Sequence, residues 1–283
     1  MQTISNDFLT VEISEKGAEI QSVRNSSGKE FIWNGDPSYW TGRAPVLFPI
    51  CGGLKEDKYL YNGKEYSLSK HGFAKFSMFE TENISKASIT FLLKSNEETK
   101  KHYPFDFELR ITYSLDNNSL RVIYSVKNKT AEQMYFSIGS HEAYSIPEGI
   151  ENYYIEFDRD VTLDSYVLNG NLLENNYITV LEKGNVFNLK DDYFAVDALV
   201  FKNVDFCKAS LVGSKSDRRI TVEFPGCDYF LLWKKPGAKY ICLEPWAGIQ
   251  DIVGSDYDIS KKEGIITLEP SGEYTKTHTV TFE

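Results

Sequence analysis

Only four histidines, four cysteines and three methionines occur among the 283 residues of this chain. The cysteines (Cys51, Cys207, Cys227 and Cys242) lie far apart, with no Cys-x-x-Cys pair. Such spacing supports neither a zinc knuckle nor a disulfide scaffold, and all four read as buried small hydrophobes. Positive charge is also scarce. Lys and Arg total 31 against 41 for Asp and Glu, a net charge of -10, the wrong sign for a protein that tracks phosphates over a long footprint. Nucleic acid and anionic membrane surfaces are therefore not expected partners. No apolar run nears the ~18 residues of a membrane helix, and residues 1–10 lack the basic start and apolar stretch of a signal peptide. A cytoplasmic location is expected.

Several motifs are missing too. There is no Gly-x-Ser-x-Gly elbow, Walker loop or dinucleotide fingerprint, and Gly52-Gly53 lacks the lysine and following helix of a phosphate loop. No cofactor is expected. The absence of His-x-His, His-x-x-x-His and paired-carboxylate spacing gives no support for a metal.

Aromatic residues are abundant instead: 18 Phe, 18 Tyr and 4 Trp. Pleated sheets favour aromatics, and carbohydrate sites use aromatic faces; composition does not separate the two. Strand patterning runs the length of the chain. Leu9, Val11 and Ile13 alternate with polar neighbours, as do Phe105, Phe107, Leu109, Ile111 and Tyr113, then Leu120, Val122, Tyr124 and Val126, and finally His278, Val280 and Phe282. Turn clusters at residues 25–28, 62–63, 116–118 and 169–171 join such runs antiparallel. The one helical stretch, residues 95–102, is stopped by Pro104. With no linker, repeat or βαβ alternation, the pattern predicts an all-β antiparallel sandwich or barrel in one domain over residues 1–283.

Among the histidines, His278 falls in phase on the last strand and reads as half-buried and structural, while His102 lies in a charged, exposed segment. His71 stands where a strand gives way to Gly72, at a rim that suits a functional group or a turn bonded to backbone. His141 follows Ser137-Ile138-Gly139-Ser140; an imidazole there can exchange a proton near neutral pH. Glu244 ends the apolar run Tyr240-Ile241-Cys242-Leu243 and precedes Pro245, so its carboxylate is expected at the end of an extended strand buried on both faces. Arg43, in an apolar segment with prolines at 45 and 49, needs a carboxylate or a polyhydroxy ligand for its five donors.

Five segments occur in order: Trp33-Asn34-Gly35-Asp36-Pro37-Ser38-Tyr39-Trp40; Arg43-Ala44-Pro45-Val46-Leu47-Phe48-Pro49-Ile50-Cys51-Gly52; His71-Gly72-Phe73-Ala74; Tyr103-Pro104-Phe105-Asp106-Phe107; and Leu243-Glu244-Pro245-Trp246-Ala247-Gly248. Together they resemble the aldose 1-epimerase (galactose mutarotase) family, in its LacX-type branch. The resemblance implies a large antiparallel β-sandwich, a sugar cleft, no cofactor, and interconversion of the α and β anomers of a free hexose. It makes Glu244 the base on the anomeric hydroxyl and His141 the acid on the ring oxygen. By the same likeness His71 and Arg43 hold sugar hydroxyls, and Asp197, with Asp192 as a nearby competitor, contacts them too.

Three positions depart from the family pattern. Ser140 and Glu142 flank His141 where glycine and proline are expected, and Lys75 replaces an arginine. Glu142 is expected to face solvent. Two other functions compete: a hexose-6-phosphate 1-epimerase, which needs cations such as Lys70, Lys75, Lys234 and Lys235 at one end of the cleft, and a carbohydrate-binding protein of the same fold without turnover. A small sugar is the expected partner, with the chain a monomer or homodimer.

Overall fold

Alternation becomes strand wherever it is sustained. The computed structural model describes residues 1–283, and in the strand Leu9–Ile13 the three apolar side chains are buried while Thr10 and Glu12 are half-buried. The strands Phe107–Asp116 and Ser119–Asn128 pair in continuous register, turned by Asn117, which takes a left-handed conformation at φ 51°. Asn62-Gly63 and Gly170-Asn171 close two further hairpins. Residues 95–102 form the predicted helix as Glu97–His102. Asn96 and Thr99 cap it reciprocally, which stabilises a helix too short to persist by propensity.

Fourteen strands make one antiparallel sheet, with smaller sheets of three, two and two strands. Twelve of them run in order from Ile138–Gly139 through Tyr240–Ala247, Tyr229–Trp233, Leu199–Lys202, Tyr153–Asn169, Lys208–Gly213, Arg219–Glu223, Glu273–Phe282, Ser119–Asn128, Phe107–Asp116 and Ser88–Lys94 to Glu80–Ile84, while Ala143–Ser145 also pairs with Tyr240–Ala247 and Leu172–Asn188 with Tyr153–Asn169. Tyr240–Ala247 and Glu273–Phe282 are far apart in that order. Even so, Glu142, beside the first, bonds His278 on the second, so the sheet wraps round to form the two packed faces of a β-sandwich.

A cluster of 62 buried side chains fills the space between the faces. Two smaller clusters lie on the other side of the Tyr240–Ala247 strand: one holds Leu47, Cys51, Leu231 and Trp246, the other Trp33, Ala143, Tyr240 and Cys242. Period two explains the division. Ile241 and Leu243 point into the main core, while Cys242, Glu244 and Trp246 point the opposite way.

Three expectations are corrected. Cys207 is exposed, the other three cysteines being buried. His278 is 3% exposed, hence fully rather than half-buried, because it pairs with a carboxylate inside the core. Glu244 does not end its strand, which continues through Pro245 to Ala247; the side facing Pro245 is where pairing is interrupted, so the missing N–H is tolerated.

Candidate active site

Two short strands pair with Tyr240–Ala247 in a single register. Ile138–Gly139 lies opposite Ala247 and Trp246, and Ala143–Ser145 lies opposite Cys242, Ile241 and Tyr240. Carried across the gap, that register sets His141 opposite Glu244. The ladder breaks here because Pro245 has no N–H to donate. Ser140 N–H reaches Pro245 O only at 3.5 Å, and the Ser140 carbonyl accepts instead from the Trp246 indole at 2.9 Å. Gly139 makes room for that indole, since a Cβ there would lie 2.5 Å from Trp246 Cδ1.

His141 Nε2 therefore stands 3.5 Å from Glu244 Oε2. The carboxylate is 1% exposed and the imidazole 7%. Burial pushes the Glu244 pKa well above the usual carboxylate range, partly opposed by the Lys70 charge. It also takes His141 down to about 3, with Lys70 and Lys75 acting in the same direction. Both shifts disfavour a lone charge in this wall. Glu244 Oε2 and His141 Nδ1 have no hydrogen-bond partner, which is uncommon for buried polar atoms outside functional sites.

His71 faces the pair, its ring centroid 5.5 Å from that of His141. It holds a left-handed backbone at φ 69°, a sparsely populated region for a residue with a side chain. Two reciprocal bonds keep it there: His71 N–H donates to Gly52 O at 2.8 Å, and Gly52 N–H donates to His71 Nδ1 at 3.1 Å. With Nδ1 accepting, the neutral ring carries its proton on Nε2. Burial, then His141 and the two lysines, keep it neutral by lowering its pKa well below the ordinary value.

These groups line a cavity of about 810 Å³ together with Asp197, Lys70, Lys75 and Gln250. Asp197 accepts from its neighbour's amide, Ala198 N–H, at 2.9 Å and lies 3.7 Å from Lys70 Nζ. Asp192 is exposed and is not part of the wall. Lys75 donates to Lys70 O at 2.9 Å. Burial and the Lys70 charge bring its pKa down to about 8.

Arg43 corrects the expectation placed on it, because its side chain does not line the cavity. Its Nη1 donates to Gln21 O at 2.5 Å, and the guanidinium folds over Gly35, where a Cβ would lie 2.9 Å from Nε. The backbone N–H groups of Arg43 and Ala44 bind Glu19 Oε1, so this segment shapes the rim. Glu142 is the other correction: it is 3% exposed and faces the core, because alternation sends it away from its neighbour His141.

The sequence reading did not single out Trp40, Trp233 or Gln250. Three of the four tryptophans, Trp40, Trp233 and Trp246, line the cavity, and the Trp40 ring lies 5.0 Å from the His141 ring at an interplanar angle of 33°. The rarity of tryptophan in an aromatic-rich chain was the available signal. Gln250 leaves none, as a lone glutamine in a loop; its Oε1 is buried without a partner. As for metal ligands, donor atoms of His141, Cys242 and Glu244 lie within 4.8 Å of one another. Burial, then Glu244, raises the Cys242 pKa.

A sequence model of the aldose 1-epimerase family matches residues 1–281. This chain belongs to that family. It is 30% identical to the plasmid-encoded protein LacX of Lactococcus lactis subsp. lactis, with 98% of each chain covered. Among solved structures it is similar to a galactose mutarotase related enzyme from Lactobacillus acidophilus, at 40% identity and a TM-score of 0.96, covering 100% of this chain and 97% of the other. A galactose mutarotase-like protein from Lactobacillus casei ATCC 334 is 29% identical with a TM-score of 0.95, both chains being fully covered. No helix in the family member described here is long and apolar enough to cross a membrane.

Proposed function

We propose that this aldose 1-epimerase family member interconverts the α and β anomers of a free hexose at the Glu244–His141 wall. The observation that carries the reading is the 3.5 Å approach of a buried carboxylate to a buried imidazole, each with an atom left unpaired in a cavity of sugar-holding size. The opposed pKa shifts support it. A pair sharing one proton is neutral overall, and the form with Glu244 ionised and His141 protonated is a tautomer of the form in which both are uncharged.

In the proposed reaction Glu244 takes the proton of the anomeric hydroxyl while His141 protonates the ring oxygen. The C1–O5 bond breaks, and the electrons of the O1–H bond become the carbonyl π bond. Glu244 is then protonated and His141 neutral. The aldehyde turns about its bond to C2, O5–H attacks the other face, His141 recovers its proton and Glu244 returns one to O1. No atom is gained or lost. Neutral His71, fixed with a donor at Nε2, and Asp197 hold hydroxyls, and His71 opposes charge growing on oxygen. The same reading takes residues 1–283 as one catalytic domain with no cofactor, acting in the cytoplasm.

Polarimetry of freshly dissolved α-D-glucose and α-D-galactose tests this. Acceleration by the wild type that disappears in Glu244→Gln is the expected result. Folded wild-type protein that accelerates neither sugar would overturn it, and sugar binding without turnover would make the chain a carbohydrate-binding protein.

A second reading, a hexose 6-phosphate as substrate, is favoured by one observation: Lys70 and Lys75 both line the cavity near the two histidines, and Lys75 has no carboxylate partner. Hexose 6-phosphates in the same polarimeter decide between the two.

A further inference from the structure

Residues 140–142 carry His141 across a gap in the ladder, so backbone pairing alone does not fix the imidazole. Side chains on either side of it do. The Ser140 carbonyl is tied to Trp246, as described, and Glu142 Oε1 lies 2.9 Å from His278 Nε2 inside the core. Neither Glu142 nor His278 reaches the cavity. We propose that Glu142, clamped by His278, is a positioning residue for His141: it pins the interrupted segment from behind so that the imidazole is held toward Glu244. The proposal rests on the reading of His141 as the acid.

The anchor is a rigid one. His278 lies within Glu273–Phe282, which is paired on one side with Ser119–Asn128 and on the other with Arg219–Glu223. Alternation makes the coupling direct. Adjacent side chains on extended backbone project to opposite faces, so a fixed Glu142 sets the direction in which His141 leaves the chain. Other groups facing the pair are phenols: Tyr124, whose ring is 5.8 Å from that of His278, Tyr113 and Tyr144. All three have pKa values raised by burial and then by Glu142. His278 is thus the sole basic partner bonded to this carboxylate.

Stability alone does not call for such a pair. Buried ion pairs are frequently replaceable by apolar residues at no loss of stability, while removal of one partner is costly. Geometry is what a directional bond adds. A displacement of about 1 Å in a catalytic group can cost on the order of a hundredfold in rate.

The test uses full-length Glu142→Ala, Glu142→Gln and the double variant Glu142→Leu with His278→Leu, beside wild type and His141→Asn. Mutarotation kinetics, thermal melting and histidine-labelled NMR are measured on each, His141→Asn assigning the His141 ring signals. Expected for Glu142→Ala is a fall in kcat of about tenfold to a hundredfold with KM within about twofold, and displaced His141 signals. Glu142→Gln, able to bond the imidazole still, recovers most of both. The Leu pair restores the melting temperature without restoring kcat or the signals. Wild-type kcat in a stable Leu pair, or His141 signals unchanged in Glu142→Ala, would overturn the proposal. If wild type fails to turn over sugar, the catalytic reading falls by itself, and the NMR comparison still decides whether Glu142 positions His141.

Discussion

His141 and Glu244 meet at 3.5 Å because one antiparallel register runs through two short strands on either side of them. The proline next to Glu244 that interrupts the ladder also frees the Ser140 carbonyl for the Trp246 indole. The register thus sets the pair opposite each other, and the absent N–H of Pro245 accounts for the break in the ladder beside it.

Loss of either member of the pair should be easily measured. Glu244→Gln and His141→Asn are each expected to lower kcat by about 10²–10⁴, the usual range of general acid–base assistance, with little change in melting temperature. Polarimetric progress curves at equal enzyme concentration report it.

The pH dependence follows from the directions of the two shifts. His141 gains a proton only near about 3, and Glu244 gives up its proton only well above the ordinary carboxylate range. The one-proton state therefore persists as pH falls through the ordinary histidine value. A kcat that does not fall between pH 7 and pH 5 is expected. A steep loss centred near 6.5 would show that the pair does not titrate as one unit.

Asp197 and Asp192 separate cleanly. Asp197 lines the cavity and Asp192 does not. Asp197→Asn should raise KM by about tenfold or more, the scale of a hydrogen bond to a charged group, and Asp192→Asn should leave KM within about twofold. Equal effects on the two variants would remove Asp197 from the sugar site.

Lysine chemistry distinguishes the two substrates. With its pKa at about 8, Lys75 is charged at neutral pH and loses that charge as pH rises through this value. If phosphate is bound there, the ratio of KM for the free hexose to KM for its 6-phosphate falls between pH 7 and pH 9, and Lys75→Met removes the pH dependence. A ratio independent of both pH and Lys75 would exclude this end of the cavity as a phosphate site.

Gly139 should tolerate no side chain. A Cβ would lie 2.5 Å from Trp246 Cδ1 and 3.1 Å from Cys51 Sγ, so Gly139→Ala is expected to cost about 1–3 kcal/mol by overpacking. Urea unfolding measures that loss. Polarimetry should show kcat falling as well, because the displaced indole no longer holds the Ser140 carbonyl.

Strand alternation and turn chemistry were local, so the sequence by itself determined the all-β fold, the hairpins at Asn62-Gly63 and Gly170-Asn171, and the capped helix before Pro104. Local context and the family resemblance together brought Arg43, His71, His141, Asp197 and Glu244 under suspicion. The directions of Arg43 and Glu142 were not local. A guanidinium in an apolar segment can turn to a cavity or to a carbonyl, and only the space left over Gly35 sends Arg43 to Gln21. A glutamate beside His141 has every preference for water; the wrapping of the sheet alone brings His278, from a strand far along the order, close enough to hold it in the core. Tertiary structure decided these positions because each depends on a partner distant in sequence, whose arrival no periodicity records.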